Sequence, residues 1–157
     1  MTDQQMNIAF VVSNAVALIL LLFSWKRKNG ARILFAVLFI LASFANWKTA
    51  HDDPNTYLDY GKYATGFYKK IINGEFSKHI TGFVSFIAMA QLFIGLGLLA
   101  RGLIVRLSCI AGIVFLLAIA PLGFGSAFPF SIIASMALYL LYKHDFTKDV
   151  LQNRWLA

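Results

Sequence analysis

Residues 81–122 read TGFVSFIAMAQLFIGLGLLARGLIVRLSCIAGIVFLLAIAPL, and Arg101 and Arg106 are the only charged side chains among them. The stretch divides into two apolar runs, Thr81 to Ala100 and Leu103 to Leu122. At a rise of ~1.5 Å per residue, each is long enough to cross a hydrocarbon layer of ~30 Å. A surface helix of a soluble domain would carry charge on one face in every turn. Thr81 to Ala100 carries none and Leu103 to Leu122 only Arg106 in its first turn, so they predict two membrane-spanning helices joined by a short basic turn.

The rest of the chain repeats the pattern. Asn7 to Trp25 is a third apolar run, with Asp3 before it and Lys26-Arg27-Lys28 after it. A cleaved signal peptide has the opposite charge order, so this run reads as an N-terminal span of about residues 7–25. A fourth segment, centred on Ile33 to Trp47, spans if taken from Gly30 to Ala50 with Arg32 and Lys48 snorkelling. The fifth, Ala127 to Tyr142, is also short; Pro129 falls in its first turn and Lys143 snorkels at its end. Composition agrees: 157 residues, 59% hydrophobic, 13% charged, mean hydropathy +0.70. A soluble domain typically has about twice that share of charge. The expected fold is all-α, a single-domain integral membrane bundle of about five transmembrane helices.

The formal net charge of +7 does not point to nucleic acid, because the cations gather at segment ends. Lys26, Arg27, Lys28 and Arg32 follow the first run, Arg101 and Arg106 flank the central turn, and Lys143, Lys148 and Arg154 follow the last. Basic residues so placed orient spans and meet anionic lipid headgroups. With all three groups on the cytoplasmic side, the amino terminus lies outside and the tail, residues 143–157, lies inside.

The longest loop, Lys48 to His79, then faces out. Asp53-Pro54 is a helix-start signal, and Tyr57, Tyr60, Ala64, Phe67, Tyr68 and Ile71 recur at spacings of three and four. Asn73-Gly74 is a stop signal. This predicts an outer amphipathic helix over about residues 54–72, serving either as an interfacial anchor or as a lid over a cavity. Within the spans, Ala88, Gln91 and Gly95 share one face; Ala9, Ser13 and Ala17 form a small-residue stripe with Asn14 beside it. Ser108 with Gly112, and Ser131 with Ser135, repeat the four-residue spacing of close helix packing. A carboxamide near mid-span needs several partners, so Gln91 and Asn14 either tie helices together or contact a ligand. With Asn46, Tyr57 and Tyr60 they form the candidate ligand-binding set.

Other chemistry is missing from the sequence. Cys109 is the only cysteine, which excludes an intrachain disulfide and a thiolate cluster site, so no iron–sulfur centre is expected. His51, His79 and His144 fall outside the spans, against a buried bis-histidine haem. His51-Asp52-Asp53 has adjacent side chains that diverge on a loop, so no metal site is expected there. No Asp or Glu interrupts a span, against a carboxylate proton relay, and no catalytic motif is present.

The run Gln91-Leu-Phe-Ile-Gly-Leu-Gly-Leu-Leu-Ala-Arg101-Gly-Leu-Ile-Val-Arg106-Leu, continuing through Pro121-Leu-Gly-Phe-Gly-Ser-Ala-Phe-Pro129, resembles the DoxX family of small bacterial membrane proteins. Arg32 to Lys48 resembles that family's opening helix. The resemblance covers about residues 32–142 and implies a four-helix core to which the first span is added. It also implies a bacterial inner-membrane location and a redox-linked, quinone-associated role. The family supplies no catalytic motif to transfer. Two classes of function therefore stand. One is a non-catalytic membrane subunit or anchor for a partner such as a redox enzyme, holding a quinone or lipid, with self-association open. The other is a small transporter or permeation protein using a cavity beneath the outer helix.

Overall fold

The computed structural model describes residues 3–62, 64–126, 128–144 and 146, with backbone alone for 3–6, 9, 62 and 124–126. Regular structure among the described residues is entirely helical. The helices are α1 (Asp3–Lys26), α2 (Lys28–Asp52), α3 (Gly66–Ile71), α4 (Ile80–Leu99), α5 (Leu103–Ile119) and α6 (Phe130–Tyr142). The five long ones close a ring: α1 packs on α2, α2 on α4, α4 on α5, α5 on α6 and α6 back on α1.

The ring's interior is mostly apolar. Phe35, Phe39, Leu98, Leu138 and Leu141 are all essentially buried along its axis, and Phe39 meets Phe115 edge-on at 6.0 Å. The outside is apolar as well: Phe44 is 70% exposed, Phe86 and Phe93 67%, and Val114 62%. Helices that are apolar on every face are stable only where the solvent itself is hydrocarbon. Three helices, Lys28–Asp52, Ile80–Leu99 and Leu103–Gly123, are long and apolar enough to cross a membrane. The apolar parts of the other two, Phe10–Lys26 and Phe130–Tyr142, are shorter; the last reaches only about 20 Å.

The second segment, expected to be short, is the longest helix among the described residues, at 25 residues. Arg32 does not snorkel. It is fully buried, its Nε donating to Leu98 O at 3.0 Å and its Nη2 to Ala100 O at 2.6 Å. Its guanidinium lies 4.2 Å from the ring centroid of Phe146. The last carbonyls of a helix have no helical N–H and carry partial negative charge, so the end of α4 supplies what a buried guanidinium requires. Lys48 does stay in the open, 3.9 Å from Asp52.

Two glycines make this geometry reachable. Gly102 turns the chain between α4 and α5 at φ +58°, a conformation that side-chain-bearing residues rarely adopt. At Gly95 an added Cβ would lie 2.8 Å from Ile40 Cγ1 and 3.0 Å from Ala36 O, so α4 approaches α2 across a bare backbone. The polar face expected of α4 is buried throughout, with Ala88 at 1% and Gln91 at 4% exposure.

The outer segment departs from the single helix expected over residues 54–72. It resolves into a 3-10 helix, Pro54–Lys62, then α3, then a wide helical turn, Ile72–Phe76. Gly61 and Gly66 weaken a continuous helix. Thr65 between them is extended (φ −60°, ψ 156°), and its N–H donates to Pro121 O at 3.1 Å rather than along a helix. The expected stop at Asn73-Gly74 coincides with a kink, Gly74 having non-helical angles. The break divides the apolar stripe: Tyr57 and Ile72 are buried, while Phe67 points outward at 71% exposure. Of the expected tail, residues 143–157, only Lys143, His144 and Phe146 are among the described residues.

Candidate functional site

Antiparallel α2 and α4 are laced by side-chain hydrogen bonds along their length. Arg32 holds one end. Ser43 Oγ donates to Ala88 O at 2.6 Å, and Thr81 Oγ1 donates to Ala50 O at 3.0 Å. Next to the Ser43 tie and diagonal to it, Asn46 Nδ2 donates to Gln91 Oε1 at 2.8 Å. Tyr57, descending from the 3-10 helix, donates its hydroxyl to Asn46 Oδ1 at 3.0 Å, with Asn46 O at 3.2 Å. The three residues form one chain of hydrogen bonds from the outer segment into the bundle.

That chain borders a cavity of about 430 Å³ beneath the outer segment, a volume within the range of small-molecule sites. Its walls come from α2, α4, α5 and the outer segment, and are mostly apolar, with Ile72, Phe76, Val84 and Phe115 contributing. Tyr60 lies in the same wall, edge-on to Tyr57 at 5.9 Å. Tyr68 completes the aromatic side and fastens α3 to α5 by donating to Ala118 O at 2.6 Å. None of the lining residues is charged. Burial pushes the Tyr57 phenol up to about 12, helped by neighbouring Tyr60 and opposed by the Thr49 hydroxyl. Burial also raises Tyr60. Both phenols are therefore neutral at physiological pH.

Four of the five residues singled out in the sequence, Gln91, Asn46, Tyr57 and Tyr60, meet in this wall. Asn14 does not. It sits on α1, away from the cavity, with Nδ2 donating to Phe10 O of its own helix at 3.0 Å. A wide-open depression on α1, lined by Asn7, Ile8, Val11 and Val12, brings no comparable polar network together. Sequence reasoning missed Phe115 and the latch made by Tyr68. Tyr68 was visible only as one member of the outer aromatic stripe, and Phe115 is one phenylalanine in a uniformly apolar helix.

The bundle also has a polarity. The end of α1, the start of α2, the α4–α5 turn and the end of α6 lie together, carrying exposed Lys26, Arg27, Arg101, Arg106 and Lys143. The cavity and outer segment occupy the opposite end. Among the described residues, no group of three or more His, Cys, Asp and Glu is arranged to hold a metal ion. Compared with known proteins, the chain matches no family model, no curated protein and no solved structure.

Proposed function

We propose that this chain is a multi-pass bacterial inner-membrane protein that holds the polar head of a lipid-soluble molecule, of quinone type, in the cavity beneath its outer segment. Five spans, with the amino terminus outside and the basic end in the cytoplasm, complete the reading. The observation that carries it is the Tyr57–Asn46–Gln91 hydrogen-bond chain at the edge of an otherwise apolar cavity. Buried carboxamides in hydrocarbon cost free energy unless paired, and this set is paired in a row that ends at a space of ligand size. Flat aromatic walls suit a conjugated ring, and the apolar surroundings suit its tail. The resemblance to DoxX proteins adds a redox-linked partner, with this chain as a non-catalytic subunit or anchor.

Holding fits better than permeation because the bundle axis next to the cavity is filled by Phe39, Leu98 and Leu138. The test is mass spectrometry of organic extracts from the chain purified out of native membranes, for the parent and for Gln91→Met. A prenylated ring compound retained by the parent and depleted in the variant is the expected result. A parent carrying only bulk phospholipid would remove the basis of the proposal.

A further inference from the structure

Each link of the polar chain has a direction. The Tyr57 hydroxyl gives its proton to Asn46 Oδ1, and Asn46 Nδ2 gives one of its protons to Gln91 Oε1. The oxygen of Gln91 is thus engaged, and its Nε2 is left as the end of the row. Among the described residues no acceptor takes that amide nitrogen's protons. Gln91 is only 4% exposed, so it is largely withheld from solvent while lining the cavity. An amide NH2 can only donate. The Tyr60 hydroxyl, also in the wall and without a hydrogen-bond partner among the described residues, can donate or accept. The cavity has no cation to receive a carboxylate or phosphate.

We infer that the cavity selects an uncharged head group that accepts hydrogen bonds, taking the oxidised, carbonyl-bearing form of a quinone-type ring in preference to its dihydroxy form. The inference rests on the ligand-holding reading above and adds a redox-state preference to it. A ring carbonyl placed on Gln91 Nε2 satisfies a buried donor. A quinol hydroxyl in the same place sets donor against donor unless it turns its proton away. Tyr60 strengthens either form, because its hydroxyl rotates, so discrimination belongs to Gln91. The raised phenol of Tyr60 keeps that proton in place across the physiological range.

The experiment uses the full chain in phosphatidylcholine nanodiscs, titrated with decylubiquinone, with decylubiquinol under anaerobic conditions, and with palmitate. Bound ligand is counted after gel filtration. Quinone should bind about two- to tenfold tighter than quinol, the range of one net hydrogen bond. Gln91→Met should erase that ratio. Tyr60→Phe, which removes a single oxygen, should weaken both forms and leave the ratio unchanged. Equal affinity or a quinol preference in the parent overturns the inference while leaving the ligand site standing, and would mean that the two carboxamides face the other way. Tighter binding of palmitate overturns the uncharged-head requirement. Binding of none of the three overturns both this inference and the reading beneath it.

Discussion

Replacing Arg32 by methionine removes a guanidinium with no exposed surface and leaves two carbonyl oxygens at the end of α4, those of Leu98 and Ala100, without their donor. Hydrogen bonds to a charged group contribute about 1.5–3 kcal/mol each. Two of them at the lower limit give about 3 kcal/mol, and loss of the contact with the Phe146 ring adds about 0.5 kcal/mol or more. For a chain of this size, that total of about 3.5 kcal/mol corresponds to a fall in melting temperature of about 7–14 °C. Arg32→Lys keeps the charge but not the planar fork that spans both carbonyls, so it should recover roughly half of the loss. Arg101→Met, at an exposed position in the adjoining turn, should change stability by no more than about 0.5 kcal/mol. Melting in matched detergent micelles compares the three variants with the parent. A buried charge replaced by a well-packed apolar side chain sometimes stabilises a protein. If Arg32→Met melts within about 2 °C of the parent, or above it, the clamp at the end of α4 does not hold the bundle together.

Three further predictions follow from other parts of the molecule. In a Cys109→Ala background, single cysteines at Asn29 and Asn73 should label oppositely with an impermeant thiol reagent on intact cells, Asn73 reacting and Asn29 protected; equal labelling contradicts the five-span orientation. Gly95→Leu should lower stability by about 1–3 kcal/mol and reduce ligand retention, because even its Cβ overlaps Ile40 and the Ala36 carbonyl, one turn from Gln91; an unchanged melting curve would show that α2 and α4 are not in that contact. Tyr57 holds its proton more tightly folded, to about 12, than unfolded, near 10, so its contribution is complete below pH 10 and is lost as pH rises from 10 to 12. Tyr57→Phe should flatten the parent's alkaline stability loss in that window, and identical profiles would argue that the phenol is not buried as described.

The fold was legible where lipid chemistry leaves few options. Uninterrupted apolar runs such as Thr81 to Ala100 must be helical to satisfy their backbones in hydrocarbon, and the Gly95 face had to meet another helix. Gln91 stood out because a carboxamide is costly in that setting. Asn46 was singled out too, but its pairing with Gln91 was not legible, since it depends on the register of α2 against α4, which composition does not encode. Arg32 was misread because an arginine near a span's end serves equally to reach water or to cap another helix, and the partner carbonyls lie 66 and 68 residues away. Asn14 lies apart from that set, its Nδ2 donating to a carbonyl one turn back on α1, a separation that depends on how α1 packs and that spacing does not encode. The outer segment kept helical spacing in sequence across Gly61 and Gly66, but the bond from Thr65 to Pro121 pulls the chain out of helix between them. Periodicity registers side chains, not the backbone's competing partners.

The central claim, that the cavity under the outer segment holds a ligand through Gln91, is tested most directly by an experimental structure of the chain purified from native membranes without added ligand. The account predicts a flat head group in the space among Tyr57, Tyr60, Phe76 and Phe115, with an oxygen within hydrogen-bond distance of Gln91 Nε2. A cavity closed by its own side chains, or filled by a lipid tail with Gln91 turned to a protein acceptor, would contradict it.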